Sequence, residues 1–217
     1  MKPDGTDNYE KWCEEWRLRF LDMDQRELLK RLPELKEEGG YLTLRHFGRK
    51  FAVGRRDGRI TAPEDDAPIL RNEKLNIYTL FGYVKAGARL TGEWVPFEKL
   101  KNTSPFAKAF RNGVTEPFAR MFDGRSGALE QACLSLGGKK LPWSDMGYEL
   151  SAFECIPVRF LFWEGDEEFP AQGNLLFDAG ATDFIHGESI VTIASVGLSR
   201  LAGAAGVPMD SAAFVNV

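Results

Sequence analysis

"LFWEGDEEFPAQGNLLFD", residues 161–178, holds an acidic run between two apolar bursts, and its reading decides the fold. Extended upstream through "YELSAFECIPVRF" (148–160), the segment is rich in aromatic and β-branched residues in short runs, the signature of strands. Within "VRFLFW" (158–163), Phe160 and Phe162 point one way and Leu161 and Trp163 the other. Both faces are then apolar, which predicts a sheet covered on two sides. Pairing of 158–163 with 174–178 as an antiparallel hairpin is expected to bring Asp178 back beside Trp163 and Glu164.

That hairpin is the strongest candidate site in the chain. Converging carboxylates from Asp166, Glu168 and Asp178 would suit a hard divalent cation such as Mg²⁺ or Ca²⁺, or would divide acid and base roles. Asp183, His186 and Glu188 follow closely enough to join them. Against this, adjacent side chains alternate, so Asp166, Glu167 and Glu168 cannot all face inward. The alternative has Asp166 capping the turn through its own backbone, Glu164 and Glu167 solvated, and Asp178 ending its strand on nearby amides. In "TGEWVPF" (91–97), Glu93 and Trp94 fall in a turn, where Trp94 either lines a pocket or anchors the loop.

Working outward, "ESIVTIASVGLSRLAG" (188–203) is a helix with a broad apolar surface suited to lie against the sheet. Upstream, Ser104 and Pro105 resemble a helix start before "FAKAFRNGVTEPFARMF", with Gly113 and Pro117 placed to bend it. "GRSGALEQACLSLGG" (124–138) reads as a further helix, "KKLPWSDMG" as a connector and "RLTGEWVPFEKLKNTSP" as a loop. "ILRNEKLNIYTLFGYVKAG" (69–87) has helical spacing and is expected to be central. "YLTLRHFGRKFAVGRRDGRITA" (41–62) predicts a small meander turning at Gly48 and at "RDGR". Tyr9, Trp12, Cys13, Trp16 and Phe20 mark an amphipathic first helix, and "QRELLKRL" a second that stops before Pro33.

These elements predict an α+β single domain over 1–217: mainly antiparallel sheet packed with N-terminal, central and C-terminal helices. The N-terminal helices form a flank at about 6–32, and a tail occupies about 204–217. Apolar residues make up 43% of the 217, which argues for a packed core. A formal net charge of −4 gives no footprint for a nucleic-acid backbone. Without a signal-like N-terminus or a long apolar run, the chain is read as cytoplasmic, with no membrane association.

Cys13, Cys133 and Cys155 fit neither a disulfide framework nor paired metal spacing, so reduced thiols are expected, with Cys13 partly exposed. No P-loop, dinucleotide, EF-hand or nucleophile-elbow pattern occurs, and the two histidines, His46 and His186, leave little material for a triad. His46 reads as a strand-face histidine, and Arg55, Arg56 and Arg59 as solvated side chains around a turn.

"LTGEWVPFEKL" (90–100), "PVRFLFWEGDEEFPAQGNLLFD" (157–178) and "YEKWCEEWRLRFLDMDQRELLKR" (9–31) together resemble a domain-of-unknown-function family of anaerobic bacteria and archaea. The most specific element is the series Trp163, Asp166, Glu168, Phe169, Pro170, Phe177 and Asp178. In some members the domain is fused to a small four-cysteine iron–sulfur domain like that of a corrinoid iron–sulfur protein. The resemblance implies anaerobic redox or one-carbon metabolism, but no reaction. Three cysteines cannot form the four-cysteine motif, so a cluster would have to come from a partner. At the last helix the chain has "HGES" where similar proteins show a Thr-Glu-Asp-like cap.

The functional expectation is an accessory or ligand- and partner-binding protein that recognises an iron–sulfur or corrinoid partner. Its surface would be the 163–178 loop: Trp163, Asp166, Glu168 and Asp178, with Glu188, Trp94 and Glu93. No intrinsic cofactor is expected beyond a divalent cation on Asp166, Glu168 and Asp178. The rivals are a metal-assisted enzyme using those carboxylates and a structural subunit, which would need a large apolar patch; the oligomeric state is left open.

Overall fold

Two antiparallel sheets, one after the other along the chain, organise the computed structural model, which describes residues 6–213, with side chains from Glu10 onward. The Tyr9 side chain of the first helical pattern and residues 214–217 of the tail lie outside what is described. The chain begins with α1 (Thr6–Asp22) and α2 (Gln25–Arg31), the latter capped by Asp24, whose carboxylate accepts from the N–H groups of Arg26 and Glu27. The first sheet follows in sequence order: β1 (Lys36–Glu38), β2 (Tyr41–His46), β3 (Arg49–Gly54) and β4 (Ile60–Thr61). Its turns fall at Phe47–Gly48 and around "RDGR", as the turn chemistry predicts.

Helix α3 (Arg71–Tyr83) buries Leu75, Ile77, Tyr78, Leu80 and Phe81 and packs between α1 and the C-terminal helix. The segment read as one long helix is broken into a short turn at Ser104–Phe106, α4 (Ala107–Phe110), a wider π-type turn (Arg111–Thr115) and α5 (Glu116–Phe122). Pro117 supplies no N–H and its ring crowds the preceding turn, so the backbone widens just before it. Ser104 is not the cap expected of it: Thr103 precedes the turn, and its hydroxyl instead donates to the carbonyls of Phe97 and Leu100. Helix α6 (Ser126–Ser135) ends before Gly137, whose φ of +76° favours glycine.

The second sheet has the order β5-β9-β8-β7-β6, built from β5 (Trp94–Pro96), β6 (Lys139–Lys140), β7 (Met146–Phe153), β8 (Ile156–Trp163) and β9 (Gln172–Asp178). Strand β5 lies in what reads as a loop, and β6 begins what reads as a connector. Strands of two or three residues, one ending in proline, carry no alternation to detect. A single-turn α7 (Ala181–Phe184) precedes α8 (Gly187–Ala205).

The prediction that both sheet faces are covered holds fully for one of them; the other is partly covered, with Leu161 buried and Trp163 38% exposed. Phe160, Phe162, Leu175 and Phe177 are buried beneath α5 and α8, with Phe118 edge-on to Phe160 and Phe162. Gly197 of α8 permits this approach, since a Cβ there would lie 2.8 Å from the Phe160 ring. Burying each such ring contributes about 2–3 kcal/mol. The other face carries Arg159, Leu161 and Trp163 of β8 with Glu149, Leu176 and Trp94, and at Gly147 it is crossed by the 141–145 loop. Arg159 is what the apolar count overlooked: one guanidinium keeps this face partly wet. No helix among the described residues is long and apolar enough to cross a membrane.

Candidate functional site

Strand register divides the sequence-predicted site. Trp163 pairs with Gln172, whereas Asp178 pairs with Trp94 at the far end of β9. Six residues of extended chain, about 20 Å, separate those ends. The expected return of Asp178 to Trp163 and Glu164 therefore does not occur, and Asp166, Glu168 and Asp178 share no cation site. Among the described residues no group of three metal-ligating side chains forms. The loop is Glu164–Ala171, and in an antiparallel hairpin the last residue of β9 lies a strand's length from that loop whether the strand opens at 172 or at 174.

Asp178, only 2% exposed, is a backbone clamp. Its carboxylate accepts from the N–H groups of Thr91 (2.9 Å), Gly92 (2.7 Å) and Gly180 (2.8 Å) and from the Thr91 hydroxyl (2.9 Å). Burial pushes its pKa up, but the donors together outweigh burial and hold it below the usual carboxylate range. Asp178 thus pins the turn that delivers Glu93 and Trp94 to the sheet edge. Asp178→Ala is expected to cost about 2–3 kcal/mol by stranding these donors, measured as a lower urea midpoint. Because its folded pKa is depressed, this contribution is present above pH 4 and lost as pH falls through the folded value, so the wild-type advantage over Asp178→Ala should shrink on acidification below about pH 4. A variant within a few tenths of a kcal/mol of wild type would show that water replaces the clamp.

At the other end, Asp166 accepts from the N–H groups of Glu168 (2.8 Å) and Phe169 (2.7 Å), closing the loop on itself. These donors lower its pKa. Glu167 and Glu168 are exposed. Glu164 is not simply solvated: its carboxylate accepts from Gly124 N–H at 2.6 Å, and its own N–H donates to Asp145 at 2.9 Å. Glu188 lies elsewhere again, on a groove of about 120 Å³ shared with Trp12, Trp16 and Tyr83. His186 caps α8, its Nδ1 accepting from Glu188 N–H at 3.3 Å. Asp183 pairs with Lys85.

The open sheet face joins the two separated ends. Arg159 sits with its guanidinium carbon 3.6 Å from the Trp94 ring centre and 4.8 Å from that of Trp143, and bonds Glu149 at 2.9 Å. Cation–π contacts of this kind contribute about 0.5–2 kcal/mol and hold both indoles in place. Beyond them Trp163, Phe169, Pro170, Gln172, Asp145 and Glu164 line a shallow recess of about 320 Å³. Trp143, Trp163 and Phe169 are 49%, 38% and 62% exposed. Arg159, Trp143 and Asp145 were missed by sequence reasoning; the available signal was the lone charge inside the apolar "VRFLFW".

The three thiols are free, Cys133 buried and Cys13 and Cys155 half-buried. His46 is wholly buried and belongs to a polar network of the interior.

The chain belongs to the DUF3786 family, a domain of unknown function, which matches residues 25–200. That span takes in both sheets and most of α8 and leaves out α1. No curated protein matches the chain. No solved structure matches it either.

Proposed function

We propose that this chain is a cytoplasmic partner-binding protein whose recognition surface is the open face of the second sheet together with the acidic loop at its end. The observation that carries the reading is the exposure of Trp143, Trp163 and Phe169 beside the Trp94–Arg159 stack. Large aromatic side chains lose little conformational entropy when covered and are enriched at protein interfaces. Asp145 and Glu164 line the recess and Glu167 and Glu168 are exposed in the loop beside it, so the complementary partner surface is basic. The resemblance to a family of anaerobes fused in places to iron–sulfur domains makes an iron–sulfur or corrinoid protein the first partner to test. A metal-assisted enzyme built on Asp166, Glu168 and Asp178 is set aside on geometry, because register separates them.

The test is affinity capture from anaerobic extract, followed by titration of the identified protein. Binding of an iron–sulfur or corrinoid protein should weaken about 10-fold or more in Trp163→Ala/Phe169→Ala and fall with added salt. Unchanged affinity in that double variant would remove this face from recognition. Gel filtration separates the rival reading of a structural subunit, since self-association through the same face would be abolished by the same substitutions.

A further inference from the structure

We propose that a second site, a cleft on the opposite helical layer, binds a small multivalent anion, a phosphate-bearing or dicarboxylate metabolite. The cleft lies between α1, the turn before β4 and the start of α3, and its volume of about 780 Å³ is within the range of small-molecule sites. Arg17 of α1, Arg59 of the turn, and Arg71 and Lys74 of α3 supply cations from three separate segments. Ile60, Ile69, Leu70 and Tyr78 give it an apolar wall for a carbon skeleton.

Four cations (Arg17, Arg59, Arg71 and Lys74) face three carboxylates (Glu10, Glu14 and Asp57) in the lining, a small excess of positive charge. Glu14 is paired with Arg17, in contacts of 2.6 and 2.8 Å, while the Asp57 carboxylate accepts from the Arg59 backbone N–H at 3.0 Å and keeps its charge. Glu10 is the remaining acid of the lining. Arg59 and Lys74 form no ion pair among the described residues. Lys74 and Arg71 stand in the first turn of α3, where the helix dipole disfavours cations. A bound anion would bridge Arg17 of α1 to Lys74 of α3. The Cys13 thiol lines the same cleft and reports on its occupancy. Arg59, Arg71 and Lys74 fall within the family span, and Cys13 and Arg17 precede it.

Thermal unfolding of the full chain should be followed at pH 7 in inorganic phosphate, in succinate and in sodium chloride of matched ionic strength. With ligand about five-fold above its dissociation constant, the midpoint is expected to rise about 2–4 °C over chloride. The rise should vanish in Arg59→Gln/Lys74→Gln, and alkylation of Cys13, followed peptide by peptide in the wild type, should slow several-fold in the effective anion. A rise with phosphate assigns a phosphate-bearing ligand and one with succinate a dicarboxylate. Equal midpoints in all three salts, a rise that survives the double substitution, or an unprotected Cys13 would overturn the proposal.

Discussion

Replacing Glu73 by alanine is expected to lower the unfolding free energy by about 3 kcal/mol, because it would leave the part-buried Arg200 without its counter-charge and the Leu70 N–H without its acceptor. Glu73 is wholly buried on α3 and accepts from Arg49 of β3 at 3.1 Å and from Arg200 of α8. The same carboxylate accepts from the Leu70 N–H at 2.8 Å, capping the helix. Arg49 keeps a second partner in Asp65, at 2.6 Å, so the loss falls mainly on Arg200 and on the Leu70 donor. Glu73→Gln keeps one acceptor oxygen, which can serve the Leu70 N–H and Arg49 but then turns its amide NH2 toward Arg200, and should cost less than the alanine. Urea denaturation measures both variants, and a loss under about 1 kcal/mol for the alanine would mean that solvent reaches the triad.

The second large effect is a dependence on pH centred on His46. Its ring is fully buried, stacked on Phe153 with centroids 4.3 Å apart, and bonded through Nδ1 to the Ala152 carbonyl (2.8 Å) and through Nε2 to the Asn76 side chain (3.1 Å). Thr192 completes the line by donating to Asn76. One tautomer satisfies every member: Nδ1–H donates to Ala152, and Nε2 accepts from Asn76. Burial lowers the pKa of His46 from 6.5 to about 3, the Ala152 bond opposing this and the charge of Arg200 adding to it. The unfolded chain therefore binds a proton that the folded chain refuses throughout this interval. The stabilisation is fully present above pH 6.5 and declines as pH falls from there toward 3, by about 1.4 kcal/mol per unit. Denaturant midpoints between pH 7 and 4 should show this slope, and His46→Gln should remove it while lowering stability at pH 7. A wild-type slope matched by the variant would assign the acid sensitivity to carboxylates instead.

Both networks cross between elements that sequence periodicity treats as independent. Glu73, Asn76 and His46 look like ordinary polar positions of a helix and a strand, and nothing in their spacing announces Arg200 or Ala152 as partners more than 100 residues away. The acidic loop shows the converse. Asp166 and Asp178 bond to backbone N–H groups, as the local alternative for short polar side chains holds, because such bonds depend on the immediate chain or on a turn brought to a strand end. Their convergence failed on strand direction: Asp178 ends β9 on the side away from the loop that holds Asp166.

What the chain determined by itself was local: strands where aromatic and β-branched residues cluster, helices where apolar positions recur, turns at glycine, and an α+β class from their order. Those outcomes follow from steric preference and from the periodicity of side chains along a short segment. The tertiary structure alone decided that β5 closes the sheet edge, that Arg159 lies between Trp94 and Trp143, that one sheet face stays open, and that Asp178 stands a strand's length from Asp166. Each of these turns on which atoms meet across long loops, where the free energy comes from desolvation and pairing between distant residues, and no local pattern of side chains encodes the partner.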